Sequence, residues 1–227
     1  MTRSRTLRGS AVALAATLAM CACSAHPGDA ARIGSDSISD GHLDDVALAL
    51  CAAQSGSAQT PGQALAGRAA RQGALGVLIN VSLSRQYGAS RGAEADQSQV
   101  SSALDVNQAT IDKLPASRRT AFRDTLRDYA EGQLVLISIG RSELVKRGTA
   151  KPTQQQSIAT GTTLRDAWVK KHLKVSVDPR FGRFSNGALV SRSGSLSVPV
   201  SSSAVTGAQA TPSQTWVAAL PANEKCS

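Results

Sequence analysis

The chain of 227 residues contains only seven aromatic side chains. Large β-sandwiches depend on aromatic and β-branched residues for their cores, so an all-β fold of this size is disfavoured. Leu, Val, Ile and Phe together make up about a fifth of the chain, at the edge of the composition in which a packed core forms. Helices rich in Ala and Leu can still build such a core. The scarcity of aromatic residues therefore predicts a mainly α fold.

Apolar residues recur at helical spacing in several segments that turn signals separate. A strand or hairpin is predicted over Ala31–Ser39, and Asp40 is positioned to cap a first helix that turns Cys51 inward. Thr60-Pro61 predicts the start of a second helix that runs to about Tyr87. The remaining predicted elements are a loop over Gly88–Ser98, short helices over Gln99–Leu104 and Gln108–Lys113, a helix over Arg118–Lys146 capped by Ser117, a helix over Thr153–Leu173 and a strand over Val175–Val177.

The N-terminal segment has the pattern of a secretory signal peptide. Arg3, Arg5 and Arg8 form its basic region, and the uncharged stretch Ala11–Met20 follows. This stretch is too short to span a bilayer. We therefore expect the chain to be exported.

The end of this segment resembles a bacterial lipoprotein signal, in which a small residue precedes the cysteine that becomes acylated. Ala22 before Cys23 fits that position, whereas Met20 before Cys21 is too large. We therefore expect lipidation of Cys23 after removal of residues 1–22, and attachment to the extracytoplasmic face of the cell membrane. The alternative is ordinary secretion, with cleavage near Ala30.

Either form of export leaves Cys51 and Cys226 in the mature chain. Two cysteines in an exported protein favour a disulfide, here between the first helix and the extreme C-terminus. The alternative is a buried thiol at Cys51 and a free thiol at Cys226.

Two segments resemble a known family. Residues 33–39 (IGSDSIS), leading into a helix at Asp40, are similar to the strand-to-helix opening of SurA-type foldases. Residues 175–182 (VSVDPRFG) resemble the segment that closes this region in actinobacterial lipoproteins with a SurA N-terminal domain. The likeness covers residues 31–185.

The resemblance implies a SurA N-terminal or trigger-factor-like helical domain with a short N-terminal strand or hairpin and a short extended C-terminal segment. Residues 23–30 would form a tether before this domain. Residues 186–227 would form an extended, partly mobile tail, and Trp216 within it suggests that the tail docks back onto the domain.

The function implied by the resemblance is that of an extracytoplasmic chaperone-like domain that binds extended or unfolded polypeptide. The parvulin prolyl-isomerase domain of the best-known members is not expected. Too few residues follow Phe184 to form it, and His26, His42 and His172 all precede that residue.

The expected binding site is an apolar groove between the second helix and the long helix after Pro115. Side chains at the same helical spacing are also what a plain core contains. The residues expected to line the groove are Leu75, Leu78, Ile79, Phe122, Leu126 and Tyr129. Two alternatives to polypeptide binding stay open: a structural or interaction lipoprotein that binds a single envelope partner, and a degenerate envelope enzyme.

Catalytic and metal-binding motifs are not found in the sequence. No Cys or His pair has metal-ligand spacing, and no serine lies in a Gly-x-Ser-x-Gly turn. Gly73 and Gly76 lack the Lys-Ser or Lys-Thr of a phosphate-binding loop, so they are helix-packing glycines at best. We therefore expect no cofactor, no metal and no enzymatic activity.

The net charge of +9 is unevenly distributed. Residues 113–174 hold 13 basic and 5 acidic groups, whereas residues 23–112 hold 5 and 9. The basic region is either a solvated helix face or a surface for anionic lipid headgroups or cell-wall polymer. Nucleic acid is not expected as a partner, because the chain is exported and this face has no aromatic residues for base stacking.

Overall fold

The computed structural model of the chain describes residues 28–56, 65–190, 200–207, 209 and 212–226. These residues are mainly helical, which confirms the fold class predicted from the composition. The helices are α1 (Asp40–Gly56), α2 (Gly67–Arg91), α3 (Gln97–Val106), α4 (Gln108–Lys113), α5 (Ala116–Lys146), α6 (Gln154–His172), α7 (Ser202–Gly207) and α8 (Gln214–Ala218). The strands are β1 (Asp29–Ile33), β2 (Asp36–Ser39), β3 (Leu65–Ala66), β4 (Val175–Val177), β5 (Arg183–Ser185), β6 (Ala188–Val190) and β7 (Lys225–Cys226).

A three-stranded sheet joins the beginning and the end of the helical region. Strands β1 and β2 form the predicted hairpin, which turns at Gly34 with a φ of 58°. Strand β4 pairs antiparallel with the other side of β1, so that Ile33 lies opposite Val175. The Asp178 N–H donates to the Ala30 carbonyl at 2.9 Å and extends this pairing.

Helices α5 and α6 form a closely packed antiparallel hairpin. A Cβ atom on Gly140 would lie 2.6 Å from the Gly161 nitrogen and closer still to the Ser157 carbonyl oxygen. The opposite approach is equally tight, since a Cβ on Gly161 would lie 2.7 Å from the Leu136 carbonyl carbon. Only glycine fits at these two positions without separating the helices.

The glycines singled out in the sequence have a different role. No heavy atom outside the helix's own backbone lies within 4 Å of the Cβ position of Gly73 or Gly76 on α2. Their assignment as packing glycines was therefore wrong. Gly140 and Gly161, in contrast, each pack against the backbone of a facing helix.

The start of α6 follows from its sequence. Thr153 Oγ1 accepts a hydrogen bond from the Gln156 N–H at 3.2 Å, and Gln156 Oε1 accepts from the Thr153 N–H at 2.9 Å. This capping box satisfies two backbone donors that a helix start leaves unpaired.

The core divides into two clusters of buried side chains. The first cluster packs the sheet against α1, α2 and α6 and includes Ile33, Leu43, Leu75, Ile79 and Leu83. The second cluster lies between α1, α4 and α5 and consists of Ala49, Ala53, Ile111, Leu114 and Phe122.

One predicted helix start lies outside the described residues, and another differs from the structure. The start at Pro61 lies outside the described residues, within which α2 begins at Gly67. The prediction that Ser117 caps the long helix was wrong. Pro115 takes an extended backbone conformation at the N-cap position, so Ala116 begins α5 and Ser117 falls inside its first turn.

The end of α2 also differs from the prediction. The helix continues to Arg91, and Gly92 ends it in the left-handed conformation with a φ of 61°. Gly88, the predicted start of the loop, stays helical and faces α5. A Cβ atom there would lie 2.7 Å from Val135 Cγ1, so this glycine serves packing rather than helix termination.

The tail docks onto the helical domain, as Trp216 suggested. Strand β7 pairs antiparallel with β3, and Val217 of α8 is buried. The prediction of an extended tail was wrong at α7 and α8, which are helical. Ser213 Oγ caps α8 by accepting a hydrogen bond from the Trp216 N–H, and Trp216 Nε1 donates to Ser203 Oγ of α7 at 2.9 Å.

Candidate functional site

Most of the side chains predicted to line a client groove lie inside the protein. Leu75, Leu78 and Ile79 belong to the first core cluster, and Leu75 and Ile79 are fully buried. Phe122 is buried in the second cluster, with Leu126 packed against it. Helix α2 packs against α5, and a cleft of about 340 Å³ between α1, α2 and α5 has Leu78 as its single lining residue from the predicted set. The prediction that these side chains together line an open apolar groove was therefore wrong.

Tyr129 is the one member of the predicted set with a largely exposed side chain, at 43% of its surface. Single exposed apolar or aromatic side chains are common on protein surfaces. Tyr129 therefore does not define a binding surface without its predicted neighbours.

The structure pairs Cys51 of α1 with Cys226 of β7 at disulfide distance, which is the pairing predicted from the sequence. Their Cα atoms lie 5.1 Å apart, within the usual range for a bridge. The bond joins the tail to α1 across a sequence separation of 175. Cys23, the predicted lipidation site, and residues 1–22 lie outside the described residues.

A cleft of about 690 Å³ lies where the tail meets the first two helices. Its sides come from α1, from the first turns of α2, from the turn after β4 and from the tail between α7 and β7. The disulfide therefore fixes one wall of the cleft to another. Its larger apolar side chains are Leu48, Phe181, Trp216 and Leu220.

Leu48 presents an exposed apolar side chain to this cleft. It lies on α1 next to Ala47, which is buried, yet 47% of its own surface is exposed. A half-exposed leucine in a concave surface, with aromatic and aliphatic neighbours, is a typical contact for an apolar ligand group.

Phe181 is held between two guanidinium groups at the edge of the cleft. The Arg71 and Arg180 guanidinium carbons lie 5.4 and 5.3 Å from the centre of its ring. Both distances allow a cation–π attraction. The ring itself is buried, so it supports the arginines that reach the cleft rather than contacting a ligand alone.

Ion pairs hold these two arginines in place. Arg71 pairs with Asp44 at 2.6 Å, and Arg180 contacts Asp40 at 2.8 Å and Asp178 at 2.9 Å. The hydrogen bond from Arg180 lowers the pKa of Asp178. Hydrogen bonds to Asp178 and then to Asp40 raise the pKa of Arg180. Both shifts favour the charged forms of Asp178 and Arg180.

The mouth of the cleft presents both signs of charge. Arg68 is exposed and forms no ion pair with any described residue, and Glu224 is exposed nearby. Lys225 Nζ donates to the Ala218 carbonyl at 3.0 Å and so braces the tail. The buried Arg71 Nε has no hydrogen-bond partner among the described residues, which leaves a donor in the cleft wall.

Neither a membrane-spanning helix nor a metal-binding cluster lies within the residues that the structure describes. No helix in these ranges is long and apolar enough to cross a bilayer. The same ranges contain no group of three or more His, Cys, Asp or Glu side chains arranged to hold a metal ion.

Comparison with known proteins gives no relative: no protein-family model, curated protein or solved structure matches the chain. Function is therefore inferred from the chemistry of the cleft.

Sequence reasoning missed most of this cleft. Trp216 was recognised as a docking residue, but Leu48, Phe181 and Leu220 were not proposed for a site. One signal was present: Leu48 falls outside the inward stripe of its helix, where an exposed leucine needs a partner. What covers that position depends on the tail, which is distant in sequence.

Proposed function

We propose that this protein is an extracytoplasmic, lipid-anchored domain that binds extended or unfolded polypeptide in a chaperone-like manner, without isomerase activity. Acylation of Cys23 would hold it at the membrane. The sequence resemblance to the SurA N-terminal domain supports this class of function, and the mainly helical fold is compatible with it. The binding surface proposed here is the cleft between α1, α2 and the tail, and not the α2–α5 interface.

The observation that carries this proposal is the half-exposed Leu48 in a concave surface next to Trp216 and Leu220. Unfolded chains expose apolar side chains that folded proteins bury. An apolar client side chain entering the cleft would remove its own surface and that of Leu48 from water, at roughly 25 cal/mol per Å².

Polar groups around this apolar contact suit a polypeptide. The opposite charges of Arg68 and Glu224 at the mouth of the cleft tolerate clients of either sign. A site with an apolar contact and both signs of charge favours polypeptides of mixed sequence over a single small anion. The absence of a catalytic role is part of the proposal.

The test is protection of an unfolded client from aggregation, followed by light scattering, with residues 24–227 as the protein. This chain lacks the acyl group but contains every described residue. We expect protection by the wild type and at least a tenfold higher concentration requirement for Leu48→Glu, since a buried charge in the contact costs about 1.4 kcal/mol or more.

Val106→Glu is the matched control, because Val106 is 84% exposed on α3 and does not line the cleft. It introduces the same charge on another helix and should protect as the wild type does. Equal protection by the wild type and Leu48→Glu would remove the cleft from the proposal. No protection by a folded wild type would contradict chaperone-like binding itself.

A second candidate is a structural or interaction lipoprotein that binds one envelope partner. The disulfide favours it, since a cleft with a covalently fixed wall suits one shape better than many. A photo-crosslinking side chain at position 48 distinguishes the two in cells. A ladder of many products supports client binding, whereas one dominant product supports the single-partner function.

A further inference from the structure

Three exposed lysines lie together at the C-terminal end of α6. Lys170, Lys171 and Lys174 fall within five residues, and none forms an ion pair with any described residue. The nearby carboxylates are already engaged: Asp36 binds Arg85 at 2.6 Å, and Asp166 binds Arg165 at 2.8 Å. The three ammonium groups, which we name the lysine cluster, therefore have no local counter-charge.

Helix capping explains only part of this cluster. Cations in the last turn of α6 complement the negative end of its dipole, which accounts for Lys170 and Lys171. Lys174 follows the end of the helix, and its side chain has no such partner. His172 does not extend the cluster, since its ring stacks on Trp168 with centroids 5.4 Å apart.

The second observation is where the lysine cluster lies relative to β1, the first strand of the domain. The Gly34 N–H donates to the Lys174 carbonyl at 3.0 Å, so Lys174 lies beside the end of β1. Asp29, the first residue of β1, lies five residues before Gly34, about 17 Å along the strand. The six residues from Cys23 to Asp29 can span at most about 21 Å. The cluster is therefore within reach of a bilayer that holds an acyl group on Cys23.

We propose that the lysine cluster binds the anionic headgroups of the membrane that carries the protein. This inference rests on the proposed acylation of Cys23, because the anchor brings the cluster to the surface. Basic residues beside a lipid anchor add attraction to anionic headgroups. Contact at this end of α6 would also restrict how the domain turns about its tether.

Another group of exposed cations provides a matched comparison. Arg141, Lys146 and Lys151 lie around the connection between α5 and α6, at the opposite end of α6 from the lysine cluster. They also form no ion pairs within the described ranges. A helix of 19 residues separates the two groups by about 27 Å, several times the Debye length of about 8 Å in physiological salt.

The test uses residues 23–227 with a single acyl chain attached to Cys23, which alone gives only weak, reversible membrane binding, and co-sedimentation with two kinds of vesicle. One is phosphatidylcholine alone, and in the other one lipid in three is phosphatidylglycerol. We expect much stronger and salt-sensitive binding to the anionic vesicles. K170Q/K171Q/K174Q should lower the partition coefficient roughly 100-fold, because each cation near the surface contributes roughly a factor of five.

R141Q/K146Q/K151Q removes the same charge from the other end and should change partitioning by no more than about threefold. Circular dichroism and the melting temperature check that both variants fold. Equal losses in the two variants, a larger loss in the second variant, or no binding by the wild type would overturn the proposal. Retention on insoluble cell-wall polymer without vesicle binding would also overturn it.

The outcome is independent of client binding. Leu48→Glu should bind anionic vesicles as the wild type does, and the lysine variant should still protect clients in solution. Failure of the cleft proposal leaves vesicle binding intact, and failure of the lysine proposal leaves client protection intact. Acylation of Cys23 is measured separately by incorporation of a labelled fatty acid.

Discussion

The tight crossing of α5 and α6 predicts that Gly140→Ala destabilises the protein far more than an added methyl group usually does. The new Cβ atom would lie 2.6 Å from the Gly161 nitrogen, whereas ordinary contact begins at 3.4 Å. The helices would therefore have to move apart by at least 0.8 Å. The obstacle is backbone of the facing helix, which cannot rotate away as a side chain can.

The size of the loss follows from this movement. Overpacking a core usually costs about 1–3 kcal/mol. A radial gap of about 0.5–1 Å also forfeits a quarter to a half of each dispersion contact across the interface. Ser157 and Leu136, almost fully buried at this crossing, would lose such contacts. We expect a decrease of about 3–5 kcal/mol in the free energy of unfolding.

Urea denaturation followed by circular dichroism measures this change, with Gly73→Ala as the matched control. Gly73 lies in the interior of α2, and nothing stands within 4 Å of its Cβ position. Alanine there should raise the free energy of unfolding by about 0.5–1 kcal/mol, because glycine weakens a helix interior. The same substitution should therefore lower the free energy of unfolding on α5 and raise it on α2.

The reasoning would be refuted by a Gly140→Ala variant within about 1 kcal/mol of the wild type. A similar loss in Gly73→Ala would also refute it, because a general sensitivity to substitution would then explain both results.

Three further predictions concern the tail, the turn after β4 and the anchor. Cys226→Ser opens a loop of sequence separation 175, and the chain-entropy relation gives a loss of roughly 5 kcal/mol in the free energy of unfolding. Cys51→Ser should show the same loss in urea denaturation. A loss below about 1 kcal/mol would count against a formed bond. Because Arg180 lowers the pKa of Asp178 in the folded state, this carboxylate stabilises the protein above its ordinary pKa of 3.8 and the contribution is lost as the pH falls through the lower folded value. The melting temperature of Asp178→Asn should accordingly fall less than that of the wild type on acidification below this pH, and parallel curves would contradict the linkage. Cys23→Ala should abolish acyl labelling and Cys21→Ala should leave it intact, with the reverse result assigning the anchor to Cys21.

Local rules predicted the parts of the fold that depend on neighbouring residues. The hairpin before α1, the short helices α3 and α4 and the strand over Val175–Val177 all follow from turn residues and periodicity. The spacing of Thr153 and Gln156 is that of a capping box and indicates the start of α6. The disulfide was predicted from the number of cysteines and the expected export, and not from geometry.

The binding site could not be predicted in the same way. Apolar spacing identifies a buried stripe such as that of Leu75 and Ile79, but an open groove and a closed core have the same stripe. Likewise, Gly73 and Gly140 are both glycines within helices, and only the facing backbone distinguishes them. The role of Leu48 depends on where Trp216 docks, more than 160 residues later in the chain.

The link between Cys51 and Cys226 has a consequence for proteolysis. A single cut at any peptide bond between these residues leaves both fragments covalently joined. The proposed acyl group on Cys23 precedes the loop, so a nicked molecule would stay on the cell surface with all of its sequence. Release of the C-terminal fragment would require reduction as well as cleavage, and a nicked chain would run as one band on a gel until a thiol is added.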